Sequence, residues 1–191
     1  MFVNMSITDV IQDIDKVARL LDTPPVLLGH SMGGLAAQIY ASTHNVRGLV
    51  LLTPVVPSNV GATSIELPIE DMTSPWGPPP LNVARQLLFQ GLDDSQVEHF
   101  YALLVPESPL RVYEATRWSL ALDPSKLTVP ILIVSGALDF LTPPQTGAAL
   151  ATLYGAAYQL EPEHGHNVMI GEGARRIAAN VLAWMAGNLA S

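Results

Sequence analysis

Four short runs of apolar residues limit the folds that this chain can adopt. Residues 25–29, 47–53 and 129–135 are apolar almost throughout, and residues 157–160 form a shorter fourth run. Segments with helical spacing lie between the first two runs and between the last two. Strand–helix–strand order returns each strand in the same direction, and strands that do not alternate are expected when helices cover both faces. The sequence therefore predicts an α/β fold with a mostly parallel sheet of about four core strands.

Helices are expected before, between and after these strands. The middle of the chain differs from both ends because it shows no strand pattern. Its first part contains six prolines, and helical patterns without any strand pattern follow at 81–91, 94–104 and 108–122. We therefore expect a minimal α/β core formed by residues 1–55 and 128–191. Residues 56–127, called the inserted segment below, are expected to form a helical cap or lid.

The composition argues against several classes of protein. Nine basic and seventeen acidic residues give a formal net charge of −8, which would repel the phosphate backbone of a nucleic acid. The chain has no cysteine, so it has no disulfide, thiolate metal ligand or cysteine nucleophile. The first residues lack the pattern of a signal peptide, and no apolar run approaches the roughly 18 residues that span a bilayer. We expect a cytoplasmic protein.

The segment Gly29-His30-Ser31-Met32-Gly33 joins a predicted strand to a predicted helix. A serine hydroxyl is a poor nucleophile, and a sharp turn of this kind holds it toward a base and a substrate. The two glycines are expected to let neighbouring backbone approach where a β-carbon would clash. The N–H of Met32, at the start of the helix, can face an oxyanion. His30 is expected to pack beneath the turn.

Two possible partners for this serine follow later strands. Asp139 lies in the loop after the third predicted strand, at the end of a parallel sheet where active sites occur. His164 and His166 follow the last strand, and either imidazole could serve as the base. The same two histidines, flanked by Glu161 and Glu163, could instead bind a metal ion.

Four aromatic residues are candidates for a substrate pocket, and for the three in the inserted segment the alternative is the core of the cap. They are Trp76, Phe100 and Trp118 of the inserted segment, and Phe140 beside the candidate acid. An apolar cap of this kind favours a small, uncharged or aliphatic acyl ester.

Together these motifs resemble the α/β-hydrolase fold superfamily of serine esterases and lipases. Gly-His-Ser-Met-Gly-Gly is similar to its nucleophile elbow, Gly136-x-x-Asp139 to its acid loop, and Gly165-His166 to the Gly-His pair of its histidine loop. The resemblance implies that Ser31 is the nucleophile and that Asp139 orients the histidine. It also favours His166 over His164 as the base, and it implies no cofactor.

The function implied is hydrolysis of carboxylic esters through an acyl-enzyme. Two alternatives keep the same three residues: cleavage of carbon–carbon bonds by hydrolysis, and cofactor-free perhydrolysis. A third alternative belongs to another class, a non-catalytic binding or assembly protein that retains the fold.

The chain departs from the family before its first strand. The family normally has several strands there, and this missing part supplies the second oxyanion donor; here residues 1–23 precede the strand and are predicted to form one helix. The outer side of the first strand would then be an unpaired apolar edge. We therefore expect a homodimer or larger homo-oligomer joined near residues 25–29. A fragment of a longer product is the competing explanation, and the start at Met1 favours a short protein.

Overall fold

The computed structural model of the protein describes residues 3–60, 66–117 and 119–189. The strands are β1 (Val26–His30), β2 (Gly48–Leu52), β3 (Ile131–Gly136) and β4 (Ala157–Glu161). The helices are α1 (Ile7–Ala18), α2 (Met32–Ala41), α3 (Leu81–Leu88), α4 (Asp94–Tyr101), α5 (Pro109–Thr116), α6 (Pro144–Tyr154) and α7 (Ala174–Asn188). No helix in these ranges is both long and apolar enough to cross a membrane.

The four strands form one parallel sheet in the order β1-β2-β3-β4. The predicted α/β class and the number of core strands are therefore confirmed. Because all the strands run the same way, the loops that follow them leave the sheet at one end. The segments after β1, β3 and β4 carry Ser31, Asp139 and His166, so the topology brings these residues to a common edge.

The central strands are apolar throughout because both of their faces are covered. In β2, Leu49 and Leu51 join a core cluster that also contains residues of α1, α2 and α6. Val50 and Leu52 point to the opposite face, where they pack with Ile177 and other residues of α7. Successive residues of a strand face opposite sides, so a strand covered on both sides needs an apolar residue at every position. Burying each such side chain stabilises the fold by roughly 1.5–3 kcal/mol.

The helix predicted over residues 108–122 is shorter in the structure, where α5 ends at Thr116. Residues near Leu122 pair instead with the short turn Ser58–Val60. The Asn59 amide donates to the Leu122 carbonyl at 2.8 Å, and the Ser58 N–H donates to the Leu120 carbonyl at 2.8 Å. The Leu122 N–H, which a helix continued to residue 122 would direct at a carbonyl one turn earlier, donates instead to Asn59 Oδ1 at 3.5 Å, so the local helical pattern is overridden.

β1 lies at an edge of the sheet. It pairs with β2 on one side, and no strand within the described residues pairs with its other side. Leu28 of this strand is 55% exposed. An open edge with an exposed apolar side chain is a surface to which another strand can add. The homodimer expected through residues 25–29 stays a prediction.

Candidate active site

Ser31 occupies a strained turn between β1 and α2. Its backbone angles are φ 52° and ψ −121°, a conformation that costs a residue other than glycine about 1–3 kcal/mol. Hydrogen bonds on both sides hold the turn. The Ser31 N–H donates to the Leu52 carbonyl at 3.0 Å, and the Ser31 carbonyl accepts from Val55 at 3.0 Å and Gly34 at 2.9 Å. The surrounding backbone therefore fixes the serine.

The glycines around this turn do not all serve the purpose expected from the sequence. A β-carbon at Gly29 would lie 2.8 Å from the α-carbon of Gly34, so the strand and helix approach too closely for any other residue. Gly34 is also constrained, since its β-carbon would lie 2.9 Å from Pro54. At Gly33 a β-carbon would meet no atom within 4 Å. The close approach therefore requires Gly29 and Gly34 rather than Gly29 and Gly33.

The structure brings Ser31, His166 and Asp139 into one hydrogen-bonded chain. Ser31 Oγ lies 2.8 Å from His166 Nε2, and His166 Nδ1 lies 2.9 Å from Asp139 Oδ2. Asp139 and His166 are each 3% exposed. Since a carboxylate only accepts, His166 donates to it from Nδ1 and keeps Nε2 free to take the serine proton. This arrangement can generate a nucleophilic oxygen.

The Asp139 carboxylate is fixed by its own loop. Oδ1 accepts from the backbone N–H groups of Leu141 at 2.8 Å and Thr142 at 3.0 Å. Oδ2 accepts from the Thr142 hydroxyl at 2.7 Å as well as from His166. Thr142 was not among the site residues predicted from the sequence. Its position three residues after an aspartate in a turn is the signal that could have identified it.

The peptide groups of His166 are held as closely as its ring. Its carbonyl accepts from the Thr53 hydroxyl at 2.7 Å and from His30 Nε2 at 2.9 Å. Its N–H donates to Gln90 Oε1 at 3.3 Å. Thr53 and Gln90 were not predicted from the sequence, and no local pattern marks them because their partner lies 113 and 76 positions away.

His30 lies against His166, with ring centroids 5.0 Å apart. Burial, and then the neighbouring His166 imidazole, lower the pKa of His30 from 6.5 to about 4. His30 is therefore neutral at pH 7. Because a carbonyl can only accept, the neutral ring carries its proton on Nε2 and donates a hydrogen bond to the His166 carbonyl.

This shift predicts a loss of stability on mild acidification. Between pH 6.5 and 4 the unfolded chain protonates His30 and the folded chain does not, so the free energy of unfolding falls as the pH falls. The loss is on the order of 3 kcal/mol and levels off below pH 4. Urea unfolding at pH 7, 5.5 and 4.5 measures it. In His30→Asn, whose amide can still donate to the carbonyl, this part of the slope should disappear.

The exposed His99 of α4 provides the control. The same substitution at this position, His99→Asn, should leave the dependence on pH as in the wild type. Equal slopes for the wild type and His30→Asn would contradict the assignment of a buried neutral imidazole at position 30.

His164 does not join the chain of hydrogen bonds at Ser31. Its ring is 7% exposed and its Nδ1 has no hydrogen-bond partner within the described part of the chain, while its carbonyl accepts from Leu138 at 2.9 Å. In the ranges that the structure describes, no group of three or more His, Asp or Glu side chains is arranged to hold a metal ion.

A cavity of about 180 Å³ adjoins Ser31 and His166. Met32, whose N–H at the start of α2 has no partner within the helix, also lines it. Its walls come largely from the inserted segment and are mostly apolar: Leu67, Trp76, Pro79, Leu87, Leu88, Glu107, Val112, Ala115 and Thr116. The remaining lining residues are Val55, Leu141 and Thr142.

The four aromatic candidates for the pocket lie in different surroundings. Trp76 lines the cavity. Phe100 does not, because it packs on the cluster formed by Ala84, Phe89 and Val97 within the inserted segment. Phe140 does not either, and its side chain is 63% exposed. Trp118 lies outside the described residues.

Comparison with known proteins gives a family and a set of esterases. The model of the alpha/beta hydrolase family matches residues 3–180. A pimeloyl-[acyl-carrier protein] methyl ester esterase of Neisseria meningitidis serogroup C is 27% identical over 161 residues, covering 74% of this chain and 62% of that protein. The corresponding esterase of serogroup A is 26% identical, with 74% and 51% covered. The chain therefore spans only about half to three fifths of these curated relatives.

The chain covers a larger share of several solved structures that have the same fold. A monoacylglycerol lipase of Paleococcus ferrophilus has a TM-score of 0.68 at 19% identity, covering 96% of this chain and 76% of that chain. An esterase of Exiguobacterium antarcticum has a TM-score of 0.69 at 20% identity, with 94% and 73% covered. MenH from S. aureus has a TM-score of 0.70 at 17% identity, with 96% and 76% covered. At these identities the likeness concerns the fold alone.

Proposed function

The chain belongs to the alpha/beta hydrolase family, and we propose on this basis that it hydrolyses carboxylic esters through an acyl-enzyme on Ser31. The observation that carries the proposal is the 2.8 Å approach of Ser31 Oγ to His166 Nε2. The esterase names of its curated relatives support the same reaction class.

In the proposed reaction His166 takes the Ser31 proton while the serine oxygen attacks the ester carbonyl. The imidazolium that forms is stabilised by Asp139, which accepts from Nδ1 at 2.9 Å. The carbonyl oxygen becomes an oxyanion, to which the Met32 N–H can donate. Collapse releases the alcohol, which takes the proton from His166. His166 then takes a proton from a water molecule, whose oxygen attacks the acyl-enzyme carbonyl. The bond to the Ser31 oxygen breaks, the acid leaves, and His166 returns the proton to Ser31.

The cavity supports a small, uncharged acyl group. A dry apolar cavity of about 150 Å³ in another protein holds benzene, so a volume of about 180 Å³ suits an acyl chain of roughly four to six carbons. A charged group would be costly to bury there because most of the lining offers it no partner. We further propose that the inserted segment acts as the cap over this site, since it supplies Leu87, Leu88, Val112 and Ala115 to the walls.

Hydrolysis of p-nitrophenyl esters of increasing acyl length tests both parts of the proposal. We expect turnover, with the highest kcat/KM at four to six acyl carbons and a fall beyond them. In Ala115→Leu the new side chain fills part of the cavity. The ratio of kcat/KM for hexanoate to that for acetate should then fall by about tenfold or more, since one methylene in a fitted pocket changes selectivity by about 10–200-fold.

Ala151→Leu is the matched control. Ala115 and Ala151 are both 6% exposed and belong to the same core cluster, but only Ala115 lines the cavity. The two variants should lose similar stability from overpacking, and Ala151→Leu should keep the wild-type preference. Equal changes of preference in both would count against the cavity as the acyl site, and absence of any turnover would count against the esterase.

A further inference from the structure

We propose that Gln90 is a positioning residue for His166, through which the inserted segment holds the histidine loop, residues 162–167, in its reactive position. The proposal is carried by contacts of Gln90 with the histidine loop. Its kinetic readout rests on the proposed esterase function, whereas its spectroscopic readout does not.

The Gln90 amide has a fixed orientation because both of its ends are used. Its nitrogen donates to the carbonyl of Gln86 in α3, and its oxygen accepts from the His166 N–H at 3.3 Å. An amide that donates in one direction and accepts in the other cannot flip without losing both hydrogen bonds. The acceptor for the His166 N–H is therefore held from the inserted segment.

The inserted segment at residues 90–91 and the histidine loop approach each other so closely that there is no room for a β-carbon between them. A β-carbon at Gly165, next to the catalytic candidate, would lie 2.7 Å from Cβ of Gln90. Gly91 has φ 84°, and a β-carbon there would collide with the carbonyl of Glu163. Residues 90–91 and the histidine loop therefore fit together only because a glycine stands on each side.

A second hydrogen bond runs in the opposite direction. The Asn167 amide donates to the carbonyl of Leu88 at 2.8 Å and so satisfies a group at the end of α3 that has no partner within the helix. Leu88 also lines the cavity. The helix that forms a wall of the cavity is therefore joined to the loop that carries the imidazole.

The position of His166 depends on Gln90 because, among the described residues, the His166 carbonyl accepts from two side chains whereas its N–H donates to one. Thr53 and His30 hold its carbonyl, and Gln90 is the acceptor that the described residues provide for its N–H. Without that acceptor the peptide can tilt and move Nε2 relative to Ser31 Oγ. Catalytic groups must be held within about 0.5 Å, and a misplacement of about 1 Å can reduce the rate by about 10²-fold.

Three variants separate positioning from general stability. Gln90→Met keeps the length of the side chain and removes the acceptor. Gln90→Glu keeps an acceptor oxygen. Gln96→Met is the control in the same segment, because among the described residues the Gln96 side chain accepts from the Asp93 N–H at the start of α4, at 3.2 Å, and has no hydrogen bond to the histidine loop.

We expect kcat of Gln90→Met to fall by about 10–100-fold with KM within about twofold of the wild type. Gln90→Glu keeps the acceptor but loses the donor to Gln86, so it should retain more of kcat than Gln90→Met. It should also move the acid limb of the pH profile to higher pH, since a negative charge near His166 favours the imidazolium. Gln96→Met should keep the wild-type kcat. A wild-type kcat in Gln90→Met would overturn the proposal.

Proton NMR provides a readout that needs no substrate. The His166 Nδ1–H proton shared with Asp139 should give a low-field signal in the wild type and in Gln96→Met, and this signal should be shifted or lost in Gln90→Met. If wild-type protein turns over no ester, the esterase proposal fails, and this signal alone decides the role of Gln90. An unchanged signal in Gln90→Met would then overturn it.

Discussion

Ser31→Ala is expected to lower kcat for ester hydrolysis by about 10⁴-fold or more while leaving the protein folded. The substitution removes the oxygen that would form the acyl-enzyme, and the remaining groups can only bind and polarise the ester. Turnover of a p-nitrophenyl ester and covalent labelling by a fluorophosphonate, followed by intact mass, measure the effect. Labelling should occur once per chain in the wild type and should be absent in Ser31→Ala.

Ser31→Gly is the companion variant because it separates catalysis from backbone strain. Glycine adopts φ 52° without the cost that a β-carbon brings, although it loses about 0.5–1 kcal/mol through the unfolded chain. We expect both variants to be inactive and Ser31→Gly to be more stable than Ser31→Ala by about 1 kcal/mol in urea unfolding. A well-folded wild type that is neither labelled nor active would instead support the non-catalytic binding protein.

Asp139→Asn is expected to lower kcat by about 10³–10⁴-fold, and the geometry of the loop explains why. The backbone N–H groups of Leu141 and Thr142 both donate to Oδ1, so the single oxygen of an asparagine must stay at that position. The amide nitrogen then faces His166 Nδ1 and donates to it. The imidazole proton moves to Nε2, where it faces Ser31 Oγ, and the ring can no longer accept the serine proton.

Measurement of kcat across pH 6–9 tests this, with unfolding in urea to show that the fold is kept. Asp123→Asn is the matched control, because Asp123 also accepts a backbone N–H two residues on, from Ser125 at 3.0 Å, but lies away from the site. It should keep full activity. Retention of more than about a tenth of the wild-type kcat in Asp139→Asn would contradict the role given to the carboxylate.

The features that could be predicted from sequence are those whose cause is local. An apolar run such as that of β2 indicates a strand covered on both faces, and parallel order places the residues after β1, β3 and β4 at one end. The predicted extent of α5 was wrong because the Leu122 N–H, which a longer helix would use, donates to the side chain of Asn59, 63 positions earlier.

The supporting residues of the site could not be predicted for the same reason. Thr53 and Gln90 are hydrogen-bonded to the peptide groups of His166, which lie far along the chain, and neither belongs to a periodic pattern or a turn motif that points to His166. From the sequence Phe100 could be assigned either to the pocket or to the core of the cap, because helix packing decides which of the two an aromatic residue on α4 faces. Such packing is not encoded in spacing alone.

The anchoring of His166 also determines when activity can arise during folding. Its hydrogen bonds to His30, Thr53 and Gln90 span 136, 113 and 76 positions, so each closes a long loop of chain. Because closing such loops carries an entropic cost that must be met before the contacts can form, we expect these hydrogen bonds to form late. A chain that has already collapsed and formed its helices would therefore still lack a competent base. Recovery of activity after dilution from denaturant should trail the recovery of secondary structure.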